Sequence, residues 1–490
     1  MIKLDFRGIY NDKNISRILL AVLFIINVYW FNQFSFNTIM GDDLIRWNHF
    51  YSKGSFLEKS LTFTTANKYR PVFDTVQFLQ FKLFSYDYKL FFYFNILFNF
   101  IVVFALFKTI KACTKNNSFI AFVISIIFIT SRFSYYNILQ ANGLLEALSL
   151  LLVILIARAC IEYLKTGKLT YVLYFLSLNC VITFTHERFI VLVPFLLLVL
   201  FFKKPSKFPN IFYCGIIFPF LLLAFIKKVI FKARFFDGTA GVPIDLNPLP
   251  KINFFIDGCL NMFGLNYGPS YLNGISFSQI DINTYRFSVI IVVLYLLIII
   301  LGLLQYKKLS FDARKKQVQI LLLWAIAFFL LILCASVTIR QELRWLYAPL
   351  ALFLILIAYI LSNISLKPIL KYILLVTICL CIVRNDIYFK NNQSDVFFIY
   401  SEKIADALYS ETVQKYGTGL RNYSLYIEKS DLLNWPIQDS LFFVPYLGDN
   451  FKVNYVENID NVDLTATNKG KVILLRLQWP ECKFINLTDK

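Results

Sequence analysis

The sequence predicts a polytopic α-helical membrane protein with a small α/β domain at its C-terminal end. Hydrophobic residues occupy 58% of the 490 positions and charged residues only 16%, against about 25% charged in an average soluble protein. Apolar runs long enough to cross a bilayer recur along the chain, whereas acidic residues concentrate near its end. These observations exclude an ordinary cytosolic enzyme, a disordered chain and a collagen-like protein.

Eleven apolar runs are long enough, or nearly so, to span a hydrocarbon core of about 30 Å. The first run follows several basic residues without a small-residue cleavage site, which predicts a retained signal-anchor whose N-terminus lies inside the cell. The runs cover residues 17–36, 90–107, 118–134, 143–161, 170–185, 189–202, 210–230, 286–306, 318–338, 345–362 and 369–384.

Alternation from this start places the short loops rich in Lys and Arg in the cytoplasm, as the positive-inside rule requires. The net charge of +19 therefore indicates membrane orientation, and nucleic acid is not an expected partner. The same alternation exports loops 37–89 and 231–285 and the tail 385–490. Because the runs 170–185 and 189–202 are short, a re-entrant hairpin is the alternative to two spans there.

The tail differs from the membrane region in charge and in periodicity. Residues 386–490 hold 14 acidic and 11 basic residues, whereas the rest of the chain is strongly basic. Helical spacing ends at Gly417, a suitable C-terminal cap. The segments NYSLYIEK, FKVNYVEN and KVILLRLQW have strand-like patterns. We therefore expect a membrane domain over 1–384 and an exported α/β domain over 385–490.

The pair Asp42 and Asp43, preceded by Gly41, lies directly beyond the first span. Such carboxylates can act as a general base for a sugar hydroxyl or hold a divalent cation such as Mg²⁺ or Mn²⁺. Adjacent residues on a helix point about 100° apart, so we expect one carboxylate to act and the other to orient it. The alternative is an interfacial helix start, where acidic side chains favour the positive end of the dipole.

Basic residues follow in the same exported loop. Arg70 offers a rigid fork for a phosphate, Lys68 would add a point charge, and Pro71 suits the start of a helix. The equally weighted alternative is contact with lipid headgroups.

Two short outer turns also carry clustered charges. His186, Glu187 and Arg188 lie between two apolar runs, where ionisable groups must pair or line a wet cavity, and a Glu–Arg pair in an interfacial loop is the alternative. In the second turn, Arg340 and Arg344 suit a lipid-linked phosphate, and Glu342 could hold one of them in place. Headgroup anchoring is again the alternative.

The chain resembles the GT-C class of membrane glycosyltransferases. The resemblance rests on the acidic motif Gly41-Asp42-Asp43, the motif Tyr69-Arg70-Pro71 and the eleven predicted spans. Within that class, the chain length and exported tail are most similar to the phage-type serotype-converting O-antigen glucosyltransferases of bacteria. Only these two short motifs match the pattern of the class, and the first outer loop contains no second DxD motif.

The resemblance implies transfer of a sugar, glucose in the phage-type enzymes, from a polyprenyl-phosphate donor to lipopolysaccharide or O-antigen outside the bacterial inner membrane. It implies that Asp42 or Asp43 acts as base or cation organiser and that Arg70 faces the donor phosphate. A single base without a covalent intermediate predicts inversion at the anomeric carbon. In the tail, Trp435 and Trp479 are candidate contacts for the acceptor glycan.

Two other functions compete with this hypothesis. An O-antigen polymerase is similarly polytopic with large outer loops, but it would favour Arg-rich motifs in those loops over an acidic pair just past the first span. A transporter of polysaccharide or lipid-linked sugar would show inverted repeats or helices broken at the midplane. The sequence shows neither of these transporter features.

Overall fold

The computed structural model describes residues 12–32, 34, 37–51, 54–61, 68–205, 209–234, 247–263, 281–335, 343–392, 397–462 and 471–488. These residues are mostly helical, with one small sheet near the C-terminal end. The first ten α-helices are α1 Asp12–Phe31, α2 Gly41–Tyr51, α3 Phe56–Leu61, α4 Pro71–Phe84, α5 Tyr88–Cys113, α6 Ser118–Thr130, α7 Tyr135–Leu139, α8 Leu144–Thr166, α9 Leu169–Thr185 and α10 Val193–Phe202.

The remaining helices are α11 Pro209–Phe225, α12 Pro248–Met262, α13 Ile282–Lys307, α14 Phe311–Ala335, α15 Tyr347–Asn363, α16 Pro368–Asn391, α17 Phe397–Tyr409, α18 Asp431–Ile437 and α19 Val444–Leu447. Short 3₁₀ turns at Ala141–Gly143, Glu187–Leu192 and Leu343–Leu346 precede α8, α10 and α15.

Within the described residues, eight helices are long and apolar enough to cross a membrane. A ninth span results if α6 is joined to residues 132–139, which bend away from it by 57°. The predicted runs 170–185 and 189–202 correspond to α9, with 17 residues, and α10, with only 10. The chain is therefore a multi-span membrane protein, and the count of eleven spans stays a prediction.

Helix α15 lies at the centre of the bundle and contacts α5, α6, α8, α13 and α14. Buried amides connect it to the first span: the Tyr347 hydroxyl donates to Asn99 Oδ1 at 2.5 Å, and Asn99 Nδ2 donates to Asn27 Oδ1 at 2.6 Å. Asn27 Nδ2 in turn donates to the carbonyl of Ile96 at 2.9 Å. In apolar surroundings, such hydrogen bonds fix how neighbouring helices are rotated against each other.

The three segments predicted as strands form β1 Ser424–Glu428, β2 Val453–Val456 and β3 Val472–Gln478, and β4 Lys483–Asn486 joins them. The sheet order is β2-β1-β3-β4. Strand β1 is parallel to both of its neighbours, whereas β3 and β4 are antiparallel. The first four residues of β3 are buried, which explains why this strand has a continuous apolar run. The small C-terminal α/β fold is thus present.

The C-terminal region docks onto the segment that follows α1. The Asn37 amide donates to Glu402 Oε1 at 3.1 Å, and the Thr38 hydroxyl donates to Asp406 Oδ1 at 2.9 Å. Burial, reinforced by Asp406, raises the pKa of Glu402 to about 10, so this carboxyl is protonated at neutral pH. These contacts place α17 and α18 against the beginning of α2.

Candidate active site

Asp43 is fully buried in the first turn of α2. Its Oδ2 accepts hydrogen bonds from the Ala141 amide at 2.7 Å and from the Tyr88 hydroxyl at 3.0 Å, and its Oδ1 accepts from the Asn142 amide at 2.6 Å. Burial raises the pKa of Asp43 to about 7, although these hydrogen bonds lower it. Both oxygens are occupied, so Asp43 ties the start of α2 to the turn before α8.

Asp42 is the more accessible carboxylate of the pair, because it is only partly buried. The Trp435 indole donates its Nε1–H to Asp42 Oδ1 at 3.3 Å, and no described residue donates to Oδ2. Gly41 has a φ of +54°, and a Cβ at this position would lie 2.6 Å from Trp435 Cε2. Glycine is therefore required where the indole meets α2, and Asp42 retains an oxygen for a substrate.

Arg70 lies directly before α4 and forms a bidentate pair with Glu187. Its Nε donates to Oε2 at 2.7 Å and its Nη2 donates to Oε1 at 2.9 Å. Burial opposes both charges, but the pairing raises the pKa of Arg70 and holds the pKa of Glu187 well below its usual range. Among the described residues, none accepts from Arg70 Nη1, so a phosphate contact through this nitrogen stays a prediction.

His186 and Arg188 both contact Glu146 on α8. Arg188 Nη2 donates to Glu146 Oε2, and His186 Nε2 lies 3.5 Å from Glu146 Oε1. Burial and the charge of Arg70 lower the pKa of His186 to about 4, so the ring is neutral at neutral pH. With a neutral ring, the contact with Glu146 is not an ion pair. The acids near this turn are paired with arginines that belong to other elements.

Lys68 and Arg344 supply further positive charge. Burial and the charges of Arg70 and Arg344 lower the pKa of Lys68 to about 8, whereas Glu187 and Asp42 raise it. No described residue forms an ion pair with Lys68. The Arg344 guanidinium lies 4.1 Å from the centroid of the Tyr136 ring. The pKa of Lys68 therefore responds to the charges of Asp42, Arg344 and the Arg70–Glu187 pair. Arg340 and Glu342 lie outside the described residues.

Two buried pairs were missed by sequence reasoning. The first is the pair of Glu146 and Arg188. The sequence does mark Glu146 as unusual, because it is one of only three acids between residues 91 and 236 and lies at the start of an apolar helix. Arg46 and Asp74 form the second pair, with Arg46 Nη1 2.8 Å from Asp74 Oδ1 and 2.6 Å from Gln77 Oε1. Arg46 and Asp74 are 28 positions apart, so no local sequence pattern predicts that they pair.

The residues present do not fit a divalent cation held by both Asp42 and Asp43. The oxygens of Asp43 already face three hydrogen-bond donors, which leaves Asp42 as a single carboxylate ligand. In the part of the chain that the structure describes, no group of three or more His, Cys, Asp or Glu side chains could hold a metal. Hard divalent cations bind through several oxygen ligands, so no step of the chemistry below uses a metal.

The fold and the site define a polytopic helical membrane protein with a cluster of acidic and basic side chains at one end of its bundle. Solved structures similar to this chain include ArnT from Cupriavidus metallidurans bound to undecaprenyl phosphate and the same protein in the apo state. They cover 95% of this chain and 93% of their own, at 10% identity and TM-scores of 0.48 and 0.47. No protein-family model matches the sequence, and no curated protein matches it significantly.

Proposed function

We propose that the protein is a membrane glycosyltransferase of the GT-C class that transfers a sugar from a polyprenyl-phosphate donor. The acceptor is a surface polysaccharide of the O-antigen type, and the reaction takes place on the periplasmic face of the bacterial inner membrane. The observation that carries the proposal is the carboxylate of Asp42, whose Oδ1 accepts from the Trp435 indole while no described residue donates to Oδ2. The charge of Asp42 also acts on the pKa of Lys68, together with the charge of Arg344. A base and phosphate-binding cations are the two elements that this reaction requires.

The chemistry follows from the charges. An acceptor hydroxyl oxygen attacks the anomeric carbon, the bond from that carbon to the phosphate oxygen breaks, and the polyprenyl phosphate leaves with the electron pair. Asp42 takes the hydroxyl proton through the oxygen that no described residue occupies. Positive charge from Lys68 and Arg344 stabilises the negative charge that develops on the departing phosphate. One base and one displacement invert the anomeric configuration.

Buried side chains fix the positions of the groups in this arrangement. Asp43 fixes the first turn of α2, so the carboxylate of Asp42 has a defined position. The Arg70–Glu187 pair anchors the residue that follows Lys68 and Tyr69. Held in this way, the base and the cations do not need to reorganise when a substrate binds, which favours electrostatic stabilisation of the transition state.

The test is transfer by the purified protein from polyprenyl-phosphate-glucose to lipopolysaccharide, followed by analysis of the product linkage. We expect an inverted linkage, and we expect Asp42→Asn to slow transfer by about 10²- to 10⁴-fold, the usual contribution of a general base. Asp449→Asn is the matched control, because Asp449 is an exposed acid of the tail. Full activity of Asp42→Asn would contradict the assignment of the base, and absence of transfer from every polyprenyl-phosphate sugar would contradict the function.

A further inference from the structure

Trp435 belongs to the C-terminal region, yet its indole touches the acidic pair beyond the first span. Nε1 donates to Asp42 Oδ1 across 393 positions of sequence. The neighbouring edge of the ring, from Cε2 to Cη2, lies against Gly41, where a Cβ would be within 2.7 Å of Cη2. The polar edge of this tryptophan is thus directed to the carboxylate.

The backbone that carries Trp435 is fixed at both ends of α18. Ser430 caps the helix by accepting a hydrogen bond from the Leu432 amide at 3.3 Å. At the other end, Gln438 Nε2 donates to the Trp435 carbonyl at 2.9 Å. Leu433 and Ile437 on the same helix are buried, so α18 is packed into the C-terminal core. A side chain on such a support can hold a partner in one orientation.

The position of the whole C-terminal region is fixed at the same rim. Next to Gly41, Asp406 accepts hydrogen bonds from the side chains of Asn37 and Thr38 at 2.7 and 2.9 Å. Between α4 and α5, the ring of Tyr86 packs edge to face against the ring of Tyr446, with the ring centroids 5.4 Å apart. The C-terminal region is therefore held both at the segment before α2 and at the turn between α4 and α5.

We infer that Trp435 is a positioning residue, which holds the carboxylate of Asp42 so that its second oxygen is presented to the acceptor hydroxyl. This inference rests on the proposed function, and it gives the C-terminal region a direct part in forming the active site. It also differs from a glycan-binding role for Trp435. A tryptophan that binds sugar stacks its face on the ring of the glycan, whereas here the edge of the indole is used to hold a catalytic group.

The experiment separates these two roles by their kinetics. Trp435→Phe keeps an aromatic ring beside Gly41 and removes the Nε1–H donor. We expect kcat to fall about 10-fold, which corresponds to about 1.4 kcal/mol, while the KM for the acceptor stays within about twofold. Tyr426→Phe is the matched control, because it also removes one polar group from a partly buried aromatic side chain of the tail, on β1, and it should leave kcat unchanged. A raised acceptor KM with unchanged kcat for Trp435→Phe would overturn the inference.

A second measurement does not depend on sugar transfer. If the hydrogen bond exists, Trp435→Phe and Asp42→Ala each remove it, so the double variant should lose less in unfolding temperature than the sum of the two single losses. Additive shifts in the unfolding temperature would contradict the contact. If this double-mutant cycle shows that Trp435 and Asp42 are coupled, but the protein transfers no polyprenyl-phosphate sugar, the proposed function is wrong and the contact is still supported.

Discussion

The pair of Arg70 and Glu187 allows a quantitative test of the site. Two hydrogen bonds of 2.7 and 2.9 Å join the side chains, which are only 10% and 16% exposed. Removing one partner leaves a largely buried charge without compensation, which costs about 3 to 5 kcal/mol. We therefore expect Arg70→Ala and Glu187→Ala each to lower the free energy of unfolding by about this amount.

The double variant should lose much less than the sum of the two single variants, because neither charge is then left alone. Unfolding of the purified protein by denaturant, followed by tryptophan fluorescence, gives the three values. Glu457→Ala is the control: Glu457 pairs with Lys429 at 2.5 Å, but its side chain is 83% exposed. An exposed pair contributes little, so this variant should match the wild type. Additive losses at Arg70 and Glu187 would refute the reasoning.

Three further predictions concern the same end of the protein. The rate of sugar transfer should fall as the pH rises through about 8, because Lys68 loses its charge there. The variant Lys68→Arg should abolish this loss of activity at alkaline pH. If the KM for the donor depends on pH in the same way in both proteins, Lys68 does not contact the phosphate. Gly41→Ala should destabilise the protein by about 1 to 3 kcal/mol through overpacking against Trp435, and Trp435→Ala should relieve most of that loss in a thermal-unfolding cycle. An Asn391→Cys variant should react with a membrane-impermeant maleimide in whole cells if the tail is periplasmic, whereas labelling only after lysis would place the tail inside.

Local patterns predicted much of the fold. Where the structure describes them, the apolar runs are mainly helical, and the three segments of the tail predicted as strands contain β1, β2 and β3. Hydrophobic periodicity predicts helices and strands because the spacing of apolar residues is set within one element and does not depend on distant parts of the chain. The lengths of α9 and α10 were harder to predict, because an apolar run does not show where a 3₁₀ turn such as Glu187–Leu192 interrupts it.

The site could be predicted only in part. The two aspartates differ in their surroundings, since Asp43 is buried under three donors and Asp42 is only partly buried, and their division into acting and orienting residues stays a prediction. The partners of these residues could not be inferred. Arg70 and Glu187 are 117 positions apart, and neither sequence neighbourhood specifies the other. Long-range pairs of this kind depend on how the helices pack, which a single sequence does not reveal.

The amide network inside the bundle bears on the order in which the protein can assemble. Asn27 lies in the first span, whereas Tyr347, which completes the chain of hydrogen bonds through Asn99, is made 320 residues later. Until α15 inserts, Asn99 Oδ1 lacks the donor that it has in the finished protein. A ribosome-bound intermediate that ends before residue 347 should therefore keep its early helices loosely associated, and the first span should reach its final rotation only after α15 has been made.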